Sequence, residues 1–186
     1  ASRNGHIDVA RLLLDRGADV NMQNQQGENA LMYASENGHI DIVWLLIDEK
    51  TNADMQNQHG QTPLMAASEN GHTDTARLLL VAGANVDIQN QHKQTALMLA
   101  AQNGHIDIAR LLLELCANVN MQDQQGRTAL ITAAFNGHID TARLLLDRGA
   151  NVETQDQNGW TALTCASRND HDDIASLIQQ HQDKEK

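Results

Sequence analysis

The sequence predicts an all-α solenoid, a stack of short helix-turn-helix units. Its main sign is an Asn-Gly-His segment that opens an apolar run and returns every 33 residues, at Asn4, Asn37, Asn70, Asn103 and Asn136. This period is typical of solenoids, whose units must stack because none can bury its apolar face alone. The composition agrees, since 41% apolar residues with only 2% aromatics indicate a core of aliphatic residues and methionine.

Residues 57–89 show the elements of one unit most completely. Asn57-Gln-His-Gly60 has the composition of a turn, because glycine adopts a positive φ without strain. Thr62 can cap a helix whose first position is Pro63, where the missing N–H is not needed. The pattern therefore predicts a first helix from Pro63 to about Glu69.

The second half of this unit predicts a second, more apolar helix. Asn70-Gly71 is a helix breaker, and we expect the second helix to begin near His72 and to contain the triplet Leu78-Leu79-Leu80. An unbroken apolar triplet on a short helix indicates cover from the partner helix and from the neighbouring unit. Gly83 is suited to close this helix in the left-handed conformation.

The repeat predicts one elongated domain over residues 1–186. A partial repeat spans 1–23, four full repeats span 24–56, 57–89, 90–122 and 123–155, and a capping repeat spans 156–186. The last unit has polar residues at 179–182 in place of further leucines, which lets the stack end in water. Because the chain begins without Met and within a repeat, we expect the parent chain to continue upstream or the first repeat to be covered by self-association.

These motifs resemble the ankyrin-repeat family from one end of the chain to the other. That family's pattern has Thr-Pro-Leu-His in the first helix, Gly-His before the second helix and Gly-Ala-Asp-Val-Asn after it. The equivalents of the first motif begin at Thr62, Thr95, Thr128 and Thr161, and those of the last at Gly17, Gly83 and Gly149. The resemblance implies L-shaped units with short β-hairpin fingers, a concave face of first helices and fingers, and a convex back of second helices.

Two kinds of position depart from the family pattern. Its histidine after Thr-Pro-Leu is replaced by Met32, Met65, Met98, Ile131 and Thr164. We expect apolar packing to take over from the hydrogen bonds of that histidine in the first four. Lys50 and Cys116 replace the glycine that closes the second helix, and Lys93 replaces the turn glycine. Because non-glycine residues are uncommon at positive φ, we expect a local loss of stability at these three positions.

Charge and cysteine content restrict the function and the compartment. The formal charge of -11 argues against binding to nucleic acid or anionic membrane, whose phosphates attract Lys and Arg. Cys116 and Cys165 have neither disulfide nor zinc spacing and are predicted to be free thiols in a reducing compartment. No signal peptide or membrane-spanning apolar run is visible. We predict a cytoplasmic location, with nuclear or secreted-effector locations left open.

The chemically reactive residues follow the repeat instead of gathering into a site. Equivalent histidines stand at His6, His39, His72, His105, His138 and His171. Stacked helices lie about 8–10 Å apart, whereas zinc ligands lie about 2 Å from the ion, so neighbouring histidines cannot share one. We expect each ring to bond the backbone of the adjoining turn, as in ankyrin repeats. Since no catalytic motif is visible, we predict no enzyme activity, no catalytic residue, no metal and no cofactor.

Comparison among the units separates the shared framework from candidate partner contacts. Glutamines recur at the fingers and turns and are interpreted as framework, although exposed amides can also bind. Two columns vary: Glu28, Gln61, Gln94, Arg127 and Trp160 after each turn, and Glu36, Glu69, Gln102, Phe135 and Arg168 near the end of each first helix. The ankyrin resemblance implies that both columns face the concave groove, where partners usually bind.

The predicted groove has an acidic front and an aromatic, basic rear. Its candidate partner-binding residues are Glu28, Glu36 and Glu69 at the front and Arg127, Phe135, Trp160 and Arg168 at the rear. Aromatic residues and arginine are favoured as interface anchors. In the alternative interpretation, Phe135 and Trp160 only fill the seam beside the C-terminal cap. Tyr33 and Cys165 belong to another variable column and are interpreted as packing residues.

Trp44 is the exception on the predicted convex back, because the equivalent residues are arginines. It either marks a second contact surface or lies flat over neighbouring apolar side chains, and the sequence leaves both interpretations open. The leading functional hypothesis is a non-enzymatic module that binds a protein segment in the concave groove. The alternatives are a targeting or regulatory repeat fragment of a larger enzyme or effector, and an engineered or structural scaffold with no dedicated ligand.

Overall fold

The computed structural model describes residues 1–184, which form helices joined by turns. A 3-10 turn at Ser2–Asn4 and helix α1, Ile7–Asp15, precede five pairs of helices. The first helices of the pairs are α2 Ala30–Glu36, α4 Pro63–Glu69, α6 Ala96–Asn103, α8 Ala129–Asn136 and α10 Ala162–Arg168. The second helices are α3 Ile40–Asp48, α5 Thr73–Val81, α7 Ile106–Glu114, α9 Ile139–Asp147 and α11 Asp172–Lys184. Within each pair the two helices pack together, first helices pack on first helices of the next pair, and second helices on second helices.

Each first helix begins at a polar side chain that caps it. Thr62 Oγ1 accepts a hydrogen bond from the Met65 N–H at 3.2 Å, and Asn29 Oδ1 does the same for the Met32 N–H at 2.9 Å. This bond satisfies one of the N–H groups that a helix leaves unpaired at its start. The predicted limits of α4 are therefore confirmed, including Pro63 at its first position.

The Gly-His segments join each unit to the one before it. The His72 ring donates from Nε2 to the carbonyl oxygen of Glu36 at 3.0 Å. His39, His105, His138 and His171 make the equivalent bond, each to a carbonyl 36 residues earlier. The imidazole lies so close to the preceding turn that a Cβ on Gly38 would come within 2.6 Å of His72 Nδ1. The predicted role of these rings in bonding the backbone is confirmed.

A continuous apolar core runs through the stack from Leu31 to Ile178. At the positions where the family pattern has histidine, Met65 and Ile131 are each 1% exposed, and Met32 and Met98 are also buried. Apolar packing therefore replaces the missing hydrogen bonds, as predicted for these four. Thr164 differs, because its hydroxyl lies 3.2 Å from the Thr161 hydroxyl that caps α10.

The β-hairpin fingers are not confirmed, since residues 1–184 contain no β-strand. Each turn is closed by a short backbone contact, such as Asn57 N–H to the Gln61 carbonyl at 3.0 Å, and too few such bonds follow one another to form a strand ladder. A single backbone bond, such as Gln58 N–H to the Gln26 carbonyl at 2.9 Å, joins one turn to the next, and side chains add further bonds. Gln56 Nε2 donates to the Gly60 carbonyl at 2.7 Å and to the Gln89 carbonyl of the next turn at 3.2 Å. The recurring glutamines are thus framework that ties turn to turn.

The three non-glycine residues expected at positive φ adopt it. Lys50 and Lys93 have φ of 58° and Cys116 has φ of 62°. At the equivalent Gly83, an added Cβ would meet nothing within 4 Å, so Lys50 and Cys116 have space for their side chains. The unfavourable contribution at these two positions is therefore confined to the backbone conformation. The local loss of stability stays a prediction.

The two ends of the described stack differ in polarity. At the front, α1 exposes Val9, Leu12 and Leu13 by 48%, 50% and 50%. At the rear, α11 buries only Ile174 and Ile178 and carries exposed glutamines on its outer side. None of the helices within residues 1–184 has the length and apolar character needed to cross a membrane. The division of the chain into repeat units stays a prediction.

Candidate functional site

Six of the seven predicted site residues line two pockets on the face formed by the turns and the first helices, here called the first-helix face, and the seventh, Arg168, lines neither. Arg127, Phe135 and Trp160 surround a cavity of about 360 Å³ between α8, α10 and their turns, the rear pocket. Glu28, Glu36, Glu69 and other residues surround a smaller cavity of about 60 Å³ between α2, α4 and their turns, the front pocket. The fold thus groups the candidates into one acidic and one aromatic set.

The rear pocket has an apolar floor and an aromatic rim. Ile131 is almost fully buried beneath it, whereas Phe135 on the last turn of α8 is 48% exposed. Trp160 is half-buried, because the turn that contains it packs against the apolar core. The guanidinium of Arg168, the last residue of α10, lies 4.4 Å from the centroid of the Trp160 ring. This cation–π contact holds Trp160 at the edge of the pocket.

Arg127 is held by a buried carboxylate. Its Nη2 lies 2.7 Å and its Nε 2.8 Å from Asp123 Oδ2, and Asp123 is only 5% exposed. Asp123 Oδ1 also accepts the backbone N–H groups of Gln125 and Arg127, each at 2.9 Å. The positive charge of Arg127 is therefore balanced inside the turn. Within residues 1–184, Arg168 has no ion pair, so its positive charge is free beside Trp160, outside the pocket lining.

Cys165 forms part of the rear pocket wall. Its side chain is buried, at 2% exposure. Burial, and to a smaller extent the Asp156 carboxylate, raise the pKa of the Cys165 thiol above its usual value. The thiol is therefore protonated at neutral pH and acts as an apolar surface. Its interpretation as a packing residue is consistent with this burial, and both cysteines are free, as predicted.

The front pocket is partly filled by Tyr33, whose role the sequence comparison missed. The Tyr33 hydroxyl donates to Glu28 Oε2, and Asn24 Nδ2 donates to the same oxygen at 3.0 Å. These bonds, that of Tyr33 first, hold the pKa of Glu28 below its usual value. The bond to Glu28, together with burial, raises the pKa of Tyr33. The Arg3 guanidinium lies 5.5 Å from the centroid of the Tyr33 ring.

Tyr33 is therefore not only a packing residue. The signal that could have identified its role was chemical, since a half-buried tyrosine needs a partner for its hydroxyl. Glu28, five residues earlier at the adjoining turn, is the available acceptor. Spacing alone did not reveal this bond, because the two residues belong to a turn and a helix.

Glu36 and Glu69 supply the uncompensated charge of the front pocket. Glu36 is exposed and Glu69 is half-buried. Their backbone carbonyls accept the histidine rings of the next unit, but neither carboxylate has a cation within ion-pair distance in residues 1–184. The charged side chains that line the front pocket are thus all negative, whereas the rear pocket combines the Asp156 carboxylate in its lining with the Arg168 guanidinium beside Trp160.

Further polar residues that were not predicted complete the rear pocket. Its lining includes Gln102, Gln125, Asp156 and Asn158. Asp156 Oδ1 accepts a hydrogen bond from the backbone N–H of Trp160 at 2.9 Å, so it positions the aromatic residue through the turn. An Asn or Asp stands at this turn position in every unit from residue 24 onward, and only the fold shows that Asp156 also borders a cavity. Trp44 lies outside both pockets, on α3, and is 55% exposed.

These features define a helical-repeat protein, in which stacked helix pairs are joined by histidine and glutamine bonds between units. The chain belongs to the ankyrin-repeat family: the family model described as ankyrin repeats (3 copies) matches residues 1–90, 45–123, 76–156 and 115–186. Ankyrin repeats are general protein–protein interaction modules, and the family is typically non-enzymatic.

A short segment is also similar to a curated protein. The chain is 53% identical over 34 residues to the probable E3 ubiquitin-protein ligase XBOS33 of Oryza sativa subsp. japonica. This match covers 18% of the chain and 6% of that relative, so the chain spans only a small fraction of the relative's length. The similarity is confined to a segment about as long as one repeat.

Proposed function

We propose that the chain is a non-enzymatic binding module that holds a segment of a partner protein on its first-helix face, across the front and rear pockets. The observation that carries this proposal is the rear pocket. There, Arg127, Phe135 and Trp160, which come from two different units, border one cavity of about 360 Å³. Pockets that bind ligands through a few oriented polar groups commonly start at about 300 Å³.

Phe135 supplies the driving force for binding in this proposal. It is 48% exposed although the core beneath it is closed, so folding leaves part of its apolar surface in water. Covering that surface gains about 25 cal/mol per Å². An apolar side chain of the partner that enters the pocket would cover Phe135 and Trp160 together. This use of the two aromatic residues is favoured over a purely structural seam because a seam would have buried Phe135.

The free charges give the bound segment a direction. Arg168 is available to a carboxylate of the partner at the rear, and Glu36 and Glu69 are available to a lysine or arginine at the front. Glu28 is already engaged by Tyr33, and Arg127 by Asp123, so we assign them to shaping the pockets. Complementary charge of this kind favours one orientation and suppresses others.

Replacement of the two aromatic residues by the glutamines that other units have at the same positions tests the proposal. Phe135→Gln and Trp160→Gln introduce residues that stand in the same columns as Gln102 and Gln94, so the double variant should fold. The probe is a partner captured from cell extract and then purified. Because interface hot spots contribute at least about 2 kcal/mol, we expect its affinity to fall about 30-fold or more. Calorimetry measures the affinity, and circular dichroism checks folding.

The matched control is a substitution on a second helix, outside both pockets. Trp44→Arg introduces the residue that other units carry, far from both pockets, and should leave this affinity unchanged. Equal affinity of the wild-type chain and the Phe135→Gln, Trp160→Gln variant would contradict the assignment of the rear pocket. A chain that retains no specific partner at all would favour the scaffold hypothesis.

The hypothesis of a targeting or regulatory fragment uses the same first-helix face. The short similarity to a probable E3 ubiquitin-protein ligase is compatible with it, since repeats in a larger protein can select what that protein acts on. The sequence of the parent chain distinguishes the two hypotheses. A neighbouring catalytic domain would favour targeting, and its absence a free-standing binding module.

Self-association through α1 is a second candidate, supported by the exposure of Val9, Leu12 and Leu13. Sedimentation of the wild-type chain and of a Leu12→Gln, Leu13→Gln variant tests it. A concentration-dependent dimer in the first and a monomer in the second would support the contact. A monomer in both would exclude it.

A further inference from the structure

A second apolar surface lies on the second helices, on α3 and α5, away from both pockets. Ile40, Trp44 and Val81 are 41%, 55% and 81% exposed, and the half-buried Leu78 lies between them. Together with Asp41, Asp74 and Arg77 they border an open cavity of about 410 Å³. We call these seven residues the second-helix patch.

Comparison with the other units shows that the stack does not need this patch. The position of Trp44 is occupied elsewhere by Arg11, Arg77, Arg110 and Arg143. The position of Val81 is occupied by Asp15, Asp48, Glu114 and Asp147. Each of two neighbouring helices thus has an apolar residue where four other units have a charged one, and both apolar residues line the same cavity. Exposed apolar residues that gather in this way mark interaction sites.

The size of the patch restricts what can cover it. The helices α3 and α5 have 9 residues each, which corresponds to about 13 Å along the helix axis. A stable interface between two proteins needs roughly 20–30 residues and about 800 Å² on each side. Seven residues on two short helices fall well below that requirement. The patch therefore fits a short segment better than a second copy of the chain.

The charges at one end of the patch restrict the chemistry of that segment. Asp41 and Asp74 both stand in the first turns of their helices and are exposed. Arg77 is one turn further along and, in the part of the chain that the structure describes, forms no ion pair with either. The carboxylates exceed the positive charge, so the N-terminal end of the patch favours a basic residue of the partner.

We propose that the second-helix patch docks a short amphipathic helix of a partner protein. Two apolar side chains of that helix, at positions i and i+4, would lie about 6 Å apart along its axis and enter the cavity between Trp44 and Val81. A lysine or arginine about one turn away would lie at Asp41 and Asp74. A helix laid in a groove is a common way to recognise an amphipathic segment. The site is independent of the first-helix face.

A peptide selection tests this proposal directly. The probe is a displayed library of 14-residue peptides with helix-forming backbones and random exposed positions, selected on the wild-type chain. The Trp44→Arg, Val81→Asp variant serves for counter-selection and should fold, because it carries the residues of other units. We expect enriched peptides that have apolar residues at i and i+4 with a Lys or Arg one turn away. Their affinity should fall at least tenfold on the variant and stay unchanged on the Phe135→Gln, Trp160→Gln variant.

The charge component has its own measurement. Asp41→Asn, Asp74→Asn should weaken the basic peptides several-fold and reduce the salt dependence of their binding, since fewer ionic contacts remain. A selection that yields no peptide able to distinguish the wild-type chain from Trp44→Arg, Val81→Asp would overturn the proposal. So would enrichment of acidic peptides, or a wild-type dimer in sedimentation that the same variant abolishes, because the occupant would then be different.

Discussion

The front and rear pockets of the first-helix face have the same frame and very different volumes. Each lies between two turns and two first helices, yet the front cavity measures about 60 Å³ and the rear cavity about 360 Å³. The difference follows from a third variable column, which has Tyr33 on α2 and Ala66 on α4 at the front, but Thr132 on α8 and Cys165 on α10 at the rear. The large side chain fills its own pocket, whereas the small ones leave room for a partner.

The two regions also differ in how they satisfy their polar groups. At the rear, the turn residue Asp123 is buried and paired with Arg127, while its front equivalent Asn24 is exposed. Inside the first helices, the front is the region with unpaired polar groups. The buried hydroxyls of Ser35 and Ser68 have no hydrogen-bond partner in residues 1–184. Alanines stand at the same positions in α6 and α8. The front is therefore the region in which folding leaves more unpaired polar groups.

The largest expected effect is a loss of stability that is greater at the rear turn, at Asp123, than at the front turn, at Asn24. Asp123→Ala removes an acceptor of two backbone N–H groups together with the partner of Arg127, all in a buried site. Because a lost hydrogen bond contributes about 1 kcal/mol, we expect the free energy of unfolding to fall by about 2–3 kcal/mol. Asn24→Ala, in its exposed turn, should lower it by about 1 kcal/mol or less. Urea denaturation followed by circular dichroism measures both.

The control for this prediction keeps the acceptor and removes the charge. Asp123→Asn retains Oδ1 for the two N–H groups and should lose less stability than Asp123→Ala. Equal losses for Asp123→Ala and Asn24→Ala would show that burial does not distinguish the two turns.

The next effect is a gain in stability at the front. Ser35→Ala and Ser68→Ala each remove a buried hydroxyl without a partner. An unsatisfied buried polar group disfavours folding by about 1–3 kcal/mol, and alanine also has the better helix propensity. We expect each variant to raise the free energy of unfolding by about 1 kcal/mol. The reverse change at the rear, Ala134→Ser on α8, should lower it by a similar amount, and thermal unfolding that shows no change in either direction would refute the explanation.

A smaller gain in stability should be equal at Lys50 and Cys116, because both residues close a second helix at the same position of the repeat. Lys50→Gly and Cys116→Gly relieve a left-handed backbone conformation at sites where the side chain meets no obstacle. A non-glycine residue in the left-handed conformation destabilises the fold by about 1–2 kcal/mol. Glycine relieves this strain but lowers stability by about 0.5–1 kcal/mol, because it has more conformational entropy in the unfolded chain. A net gain of about 0.5 kcal/mol is expected for each. Gly83→Ala is the matched reverse control, and a clear difference between the Lys50 and Cys116 variants would mean that the two sites are not equivalent.

The smallest effect concerns the Tyr33 hydroxyl at the front. Tyr33→Phe removes its bond to Glu28 and should cost about 0.5 kcal/mol at neutral pH, at the low end for a hydrogen bond because the pair is partly exposed. The bond lowers the folded pKa of Glu28, so its stabilisation is present above the usual glutamate pKa and is lost as pH falls through the folded value.

Nuclear magnetic resonance titration of the Glu28 carboxylate measures this effect. We expect the pKa of Glu28 to rise in Tyr33→Phe, and the stability difference between the two chains to shrink below about pH 4, near the usual pKa of glutamate. Trp160→Phe at the rear should leave the titration of Glu28 unchanged. An unaltered pKa of Glu28 in Tyr33→Phe would show that the hydroxyl does not act on the carboxylate.

Much of the fold could be predicted because it depends on short-range rules that each unit repeats. The cap at Thr62, the proline at the first position of α4 and the positive φ of Lys50 follow from the preferences of a few adjacent residues. The β-hairpin fingers that the family resemblance implies were not confirmed, because the backbone bonds at the turns are too few to form a strand ladder. In the structure, single backbone bonds and side chains such as Gln56 connect one turn to the next.

The sequence alone determined which columns vary, that the helices alternate, and that histidine and glutamine belong to the frame, since recurrence at a fixed spacing identifies residues that every unit needs. Tertiary structure decided how the variable residues meet. It placed Phe135 and Trp160 around one cavity, paired Arg127 with Asp123 and closed Tyr33 onto Glu28. It also set Trp44 and Val81 beside each other on α3 and α5. The contacts around the rear cavity and between α3 and α5 depend on the distance and angle between neighbouring units, and the letters of one unit do not encode either quantity. The two pairs within a unit depend on how its turn folds before and against its first helix.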